Sequence, residues 1–296
     1  MTRWFSSFSL SSIRRKTPLT RNIFSSHLVA AVPLFEELLT SPRAALLPPL
    51  SQQKCWFTSS IQSAIHATSR RRFVFNAPAL AALKAKAASP SAGVQNPSRV
   101  MAVTSLLWKC GINTSRATHG FQKPSVMTLA VNLRTRCSPP MPRHSIGNNF
   151  WAATARCKPN IAVVLHSLAE RLKDELSRIN SDLVEKMKGE KGFLKVSERL
   201  KEMGEVYSNP EADYFAVTSV CNASFYEADF GWGKPIWSCI GHAPVFANLT
   251  ILMDTKSGDG VEAWVTLTEE DMAIFERDPE LLTFASLDPS PLETAA

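Results

Sequence analysis

Residues 229–235 read Asp229-Phe230-Gly231-Trp232-Gly233-Lys234-Pro235, and how this stretch is read decides the fold. Two glycines flank Trp232. Lacking a Cβ, they reach backbone angles and close approaches that are denied to other residues. A carboxylate stands at one end and a proline, which fixes φ and has no N–H to donate, at the other. The plainest reading is a surface turn carrying an aspartate.

Outward from this turn, both flanks hold strands and helices, without strict βαβ alternation. On the C-terminal side, residues 245–254 predict a strand, Ser257-Gly258-Asp259-Gly260 a turn, and Val261 to Leu267 its hairpin partner. Thr268 then caps a last helix whose first turn holds Glu269, Glu270 and Asp271, and Asp278-Pro279 ends it. On the N-terminal side, 215–220 predicts a strand. Residues 161–188 predict one long amphipathic helix ending at Gly189, because Leu165, Leu168, Leu172, Leu176, Ile179, Leu183 and Met187 recur at steps of three and four. Residues 138–149 read as a loop and 126–133 as a strand. Ser98 caps a helix running to Cys110, with Gly111 as its stop, and Pro78 opens a helix to Ala88. Arg70-Arg71-Arg72 precede the short β run Phe73-Val74-Phe75. The pattern is α/β, with a mixed, largely antiparallel sheet and flanking helices.

Composition divides the 296 residues unevenly. Residues 1–169 hold 21 Lys and Arg but only two acids, Glu36 and Glu37, a net +19; residues 170–296 hold 12 Lys and Arg against 24 acids, a net −12. Residues 1–60 are a basic N-terminal segment and linker without a compact core. Within them, residues 1–30 combine Ser and Arg without an acid, as an organellar transit peptide does, and a remnant N-terminus is the other reading. Residues 61–296 form the folded domain. No run approaches the ~18 apolar residues of a membrane helix. Cys55, Cys110, Cys137, Cys157, Cys221 and Cys239 contain no C-x-x-C pair and no zinc spacing, which reads as reduced thiols in an intracellular protein with no metal site. The cations are dispersed and no nucleic-acid motif accompanies them, so a nucleic-acid partner is the remote alternative.

Asp229-Phe230-Gly231-Trp232-Gly233 resembles the DFGWG signature of plant BAHD-type, CoA-dependent acyltransferases, and the resemblance extends over most of residues 70–293. Phe73-Val74-Phe75, Ser98-Arg99-Val100 to Trp108-Lys109-Cys110, Ala130-Val131-Asn132-Leu133-Arg134, Pro139-Pro140, Gly147-Asn148, Leu252-Met253-Asp254 and Ala263-Trp264-Val265 are similar to family segments, nearest the vinorine synthase-like, alkaloid-type branch. The resemblance implies the C-terminal domain of such an enzyme, working as a soluble cytoplasmic monomer without metal. It implies acyl-CoA as co-substrate and a small alcohol or amine as acceptor. It also implies a structural role for the signature, with an ion pair between Asp229 and Arg134 and Trp232 packed beside them. A plastid or mitochondrial location follows instead if residues 1–30 are a transit peptide. Apolar surface left uncovered by the absent part of the N-terminal domain would favour self-association.

The family's base is the histidine of a His-x-x-x-Asp motif, which removes the acceptor's proton. None of His27, His66, His119, His144, His166 and His242 begins that motif. Counting back from Phe73, the family's slot falls near Ser12, with Ser12 where histidine is expected and Lys16 where aspartate is expected. His166-Ser167-Leu168-Ala169-Glu170 is the nearest imitation, and its place inside a helix predicts a surface pair with Glu170. Met101 stands where the family carries an acid that would complete a capping box, and Asn76 where it often carries aspartate. Three functions remain open: an acyltransferase in specialised metabolism, truncated and catalytically impaired; a non-catalytic homologue with a CoA-facing or partner-binding role; and, remotely, a basic nucleic-acid binder.

Overall fold

A computed structural model describes residues 68–89, 94–142, 145, 147, 149–207, 209–241 and 247–291. The basic segment 1–60 and the slot around Ser12 lie outside the described residues. Seven strands form one sheet: β1 (Thr68–Phe75), β2 (Ser125–Asn132), β3 (Phe150–Cys157), β4 (Asp213–Ser219), β5 (Leu249–Asp254), β6 (Val261–Thr268) and β7 (Ser286–Leu287), in the order β3-β2-β4-β5-β6-β1-β7. β2 and β5 each lie parallel to β4, and the other neighbours pair antiparallel. The expected mixed, largely antiparallel sheet is the one that forms.

Seven α-helices accompany the described part of the sheet: α1 (Ala77–Ala87), α2 (Arg99–His119), α3 (Leu165–Ser177), α4 (Ser181–Lys186), α5 (Gly189–Tyr207), α6 (Glu269–Phe275) and α7 (Pro279–Phe284). Successive Cβ atoms alternate across a strand, and the core takes one set. Phe73, Phe75, Met127, Leu129, Ala153, Ala155, Val217, Leu252, Ala263 and Val265 join the helix residues Leu83, Leu106, Trp108, Leu168, Leu172, Met272 and Phe275 in one buried cluster. Trp108 sits at its centre, fully buried, its indole N–H donating to the Ser125 hydroxyl at 2.7 Å. The alternate set, Arg70, Arg72, Glu262, Trp264 and Thr266, lies on the other face. The described part of the β4–β5 connection, residues 220–241, contacts that face.

Local capping explains several boundaries. Asn76 accepts from the Ala79 N–H at 2.9 Å and Ser98 from the Met101 N–H at 3.1 Å, so α1 and α2 start where foreseen. Thr268 accepts from the Asp271 N–H at 3.1 Å and opens α6 above three first-turn acids.

Three expectations need correction, and two further elements form that the sequence does not announce. Gly111 does not stop α2; the helix continues to Gly120, whose φ of 79° makes the left-handed cap. A Cβ on Gly111 would lie 2.6 Å from Phe215 Cε1, so this glycine provides room for a β4 ring. The predicted 161–188 helix is two helices, interrupted at Arg178–Asn180, where the Asn180 side chain accepts from the Leu183 N–H and opens α4. Gly189 begins α5 rather than ending a helix. α6 does end before Asp278-Pro279, at Phe275, but Asp278 also opens a helix: its carboxylate accepts from the Glu280 and Leu281 N–H groups and caps α7. Residues 150–157 form a strand that the sequence does not announce, because three of its eight residues are alanine, a weak strand former. Full pairing with β2 settles it.

Among the described residues no helix is long and apolar enough to cross a membrane. Five cysteines are free thiols there, with Cys110, Cys137 and Cys157 buried.

Candidate functional site

The signature lies in the β4–β5 connection, on the face of the sheet away from the core helices. Asn222 and Ser224 turn the chain with positive φ, and one 3-10 turn follows at Phe225–Glu227. Asp229 Oδ1 then accepts from the N–H groups of Gly231 at 2.7 Å and Gly233 at 3.1 Å. Both glycines hold φ above 100°, a region unfavourable for any residue with a Cβ. The motif's Asp and two Gly residues are therefore parts of one self-capped turn. The two backbone hydrogen bonds stabilise the charged form and hold the Asp229 carboxyl below its usual range. Phe230 and Trp232 stack on each other, centroids 5.6 Å apart, and both point to solvent, Trp232 with 83% of its surface exposed.

The ion pair expected between Asp229 and Arg134 does not form, and Trp232 packs beside neither. Arg134 is buried just beyond β2, where its guanidinium donates to the Ser145 carbonyl at 3.0 and 3.2 Å and the Gly147 carbonyl at 2.7 Å. It closes the 134–149 loop. Each charge is satisfied by the backbone of its own loop, so neither needs the other.

What ties the signature loop to the sheet is aromatic and cationic. Trp237 lies against Trp264 of β6, centroids 6.1 Å apart, and the Arg72 guanidinium stands 5.6 Å from the first ring and 5.9 Å from the second. Arg72 also pairs with Glu262 at 3.3 Å, both nearly fully buried, and burial pushes the Glu262 carboxyl up against the pull of Arg72. Arg70 donates to the carbonyls of Ile240 and Gly241 and to Thr266 Oγ1. Inside the loop, Tyr226 Oη accepts from the Ser238 N–H at 3.2 Å and Lys234 pairs with Glu227 at 2.6 Å. The arginine run and the 263–265 segment stand out in the sequence, but no local pattern assigns a role to Arg72, Trp237 or Trp264. A signal existed: in a strand, Arg70 and Arg72 share a face.

Two histidines fall among the described residues. His166 occupies the first turn of α3 rather than its middle, partly buried, and forms no ion pair with Glu170. The predicted surface pair is absent. His119 ends α2, exposed, beside the Phe121 ring. It borders a shallow cleft of about 50 Å³, lined also by Gly111, Ser115, Asp213, Phe215 and Asp271. A cleft of that size holds a few waters and not a thioester. Neither histidine has a carboxylate orienting its ring, so neither is equipped as a general base.

A sequence model of the Transferase family matches residues 19–282. The limonoid 7-O-acetyltransferase of Citrus sinensis is 43% identical over 229 residues, which cover 75% of this chain and 50% of that protein. The stemmadenine O-acetyltransferase of Catharanthus roseus is 38% identical over 214 residues, 70% of this chain and 46% of that protein. The crystal structure of vinorine synthase superposes with a TM-score of 0.60 at 34% identity, covering 74% of this chain and 48% of the other. The chain spans about half the length of the curated relatives it matches.

Proposed function

The chain belongs to the BAHD-type transferase family, and from that premise we propose that it carries the C-terminal half of an enzyme moving an acyl group from a CoA thioester to an alcohol or amine, without the base that this transfer needs. The observation that carries the reading is a contrast within one sequence. The signature turn at 229–233 is intact and capped by its own aspartate, whereas no His-x-x-x-Asp occurs anywhere in the 296 residues. The Citrus sinensis and Catharanthus roseus relatives are O-acetyltransferases, which favours an acetyl donor and an alcohol acceptor.

Proton removal makes an alcohol oxygen a competent nucleophile, and a positioned base typically contributes ~10²–10⁴ in rate. A serine at position 12 has no imidazole to accept that proton. His119 and His166 lack an orienting partner. Affinity for the CoA thioester is separable from turnover, because binding needs shape and charge but no base.

The test is CoA release by the purified full chain, followed with a thiol reagent, using acetyl-CoA and a panel of alcohol acceptors. The expected result is release at the background rate, with acetyl-CoA binding measured separately by calorimetry. Turnover that disappears in His166→Ala would overturn the proposal and make His166 the base.

A further inference from the structure

The hydrogen bonds and ring contacts that leave residues 225–241 for the sheet end, among the described residues, on Arg70, Arg72 and Trp264. The other polar contacts of this segment are internal: Asp229 to Gly231 and Gly233, Glu227 to Lys234, Tyr226 to Ser238. We propose that Arg72 is the positioning residue of the signature loop, holding it over the open face of the sheet by seating Trp237 against Trp264. The assignment goes beyond acyl transfer and stands or falls whether or not the chain turns over.

The geometry favours Arg72 for three reasons. First, its guanidinium is held before the loop arrives. Nη1 donates to Glu262 Oε1 at 3.3 Å, Nη2 donates to the Pro289 carbonyl, and the backbone exchanges hydrogen bonds with Asp288. Little side-chain entropy is left to lose when Trp237 docks. Second, Arg72 retains 5% of its surface exposure, and a desolvated guanidinium attracts an aromatic face more strongly than an exposed one. Third, a planar guanidinium can stack on an aromatic face as well as attract it by charge, which a lysine ammonium cannot do.

The loop needs such an anchor. The acid of its signature turn is committed to the turn's own backbone and reaches no cation on the sheet. Trp237 is 41% exposed, so burial alone holds it loosely. With the Arg72 contact in place, Trp237 faces the sheet while Phe230 and Trp232, a few residues earlier, face away from it. Removal of the contact leaves the Arg70 hydrogen bonds to Ile240 and Gly241 as the remaining tether, at one end of the loop.

Four variants of the full chain separate this role from a general contribution to stability: Arg72→Lys, Arg72→Met, Trp237→Leu and Glu262→Gln. Two readouts apply: the near-ultraviolet circular dichroism of the Trp237–Trp264 pair, and the rate of chymotryptic cleavage after Trp232 under native conditions. Cleavage requires the loop to open, so its rate follows the open population. The expected result is loss of the tryptophan signal and roughly tenfold or faster cleavage in Arg72→Lys, Arg72→Met and Trp237→Leu, with hydrogen exchange in α2 unchanged in Trp237→Leu, which leaves the buried Arg72–Glu262 pair intact. Glu262→Gln leaves both rings in place but weakens the hold on the guanidinium, so it should accelerate cleavage by about threefold, less than the Arg72 variants do. Should an Arg72 variant fail to fold, Trp237→Leu, altered at a partly exposed ring, carries the test. Unchanged cleavage in Trp237→Leu would overturn the proposal. So would acceleration spread equally over loop and α2, since that reports lost stability and no positioning.

Discussion

Trp108→Phe is the sharpest test of how α2 is bound to the sheet. The indole is fully buried and its N–H donates to Ser125 Oγ at 2.7 Å, with Ser125 1% exposed. Phenylalanine keeps most of the apolar contact, so the lost volume and the small cavity should cost about 1–2 kcal/mol. The serine hydroxyl, left buried without its donor, adds about 1–2 kcal/mol. The sum is about 2–4 kcal/mol, a large share of the ~5–15 kcal/mol by which a domain is stable. Ser125→Ala alone should cost about 1–2 kcal/mol, because it orphans the indole N–H. In the double variant both partners are gone and only the volume cost of about 1–2 kcal/mol remains, so the total should fall short of the sum by about 2–4 kcal/mol. Urea unfolding measures all four proteins, with a shared slope confirming that only stability has changed. Costs that add to within about 0.3 kcal/mol would refute the reasoning, because the hydrogen bond would then contribute nothing.

Two further outcomes follow from the titratable groups. Burial pushes the Cys221 thiol up to about 11, with a hydrogen bond from Ser219 opposing it, while Cys239 is exposed; iodoacetamide at pH 7.5 should therefore label Cys239 at least roughly tenfold faster, read by peptide mass spectrometry. Glu280 pairs with Lys86 at 2.8 Å and Lys109 at 2.6 Å; burial would raise its carboxyl, but the two lysines outweigh burial and hold it below the usual range. A depressed carboxyl contributes stability above its unfolded value, about pH 4.3, and loses it as pH falls through the folded one. The deficit of Glu280→Gln should accordingly be full at pH 7 and shrink below about pH 4, and a deficit independent of pH would contradict the pairing.

The function assay and the loop-positioning test address different layers of the molecule. Acyl transfer depends on a base that neither described histidine supplies. Loop position depends on Arg72 and its two tryptophans. A chain silent in the first test can still give the expected outcome in the second, because the turn, the latch and the core are complete without turnover.

The 296 residues by themselves determined the family, through the five-residue signature at 229–233 and scattered similarities, and three helix starts, near Pro78, after Ser98 and after Thr268. These are local features, since a cap or a glycine turn is made by residues a few positions apart. The strands β1, β2, β4, β5 and β6 were also legible, as short apolar and β-branched runs bounded by turn residues. Tertiary structure alone decided the rest. Gly111 reads as a stop by its helix propensity, yet lies mid-helix because Phe215, over a hundred residues away, fills the space its side chain would need. The alanine-rich β3 is a strand because β2 offers it a full ladder of hydrogen bonds. Asp229 and Arg134 looked like natural partners, but each found nearer backbone groups to satisfy it. The arginine run at 70–72 looked like mere charge until the sheet turned Arg71 toward Glu276 and placed Arg70 and Arg72 beneath the signature loop. Charge and ring contacts made across such sequence distances depend on strand pairing and on which face a residue takes, and no local pattern encodes the partner.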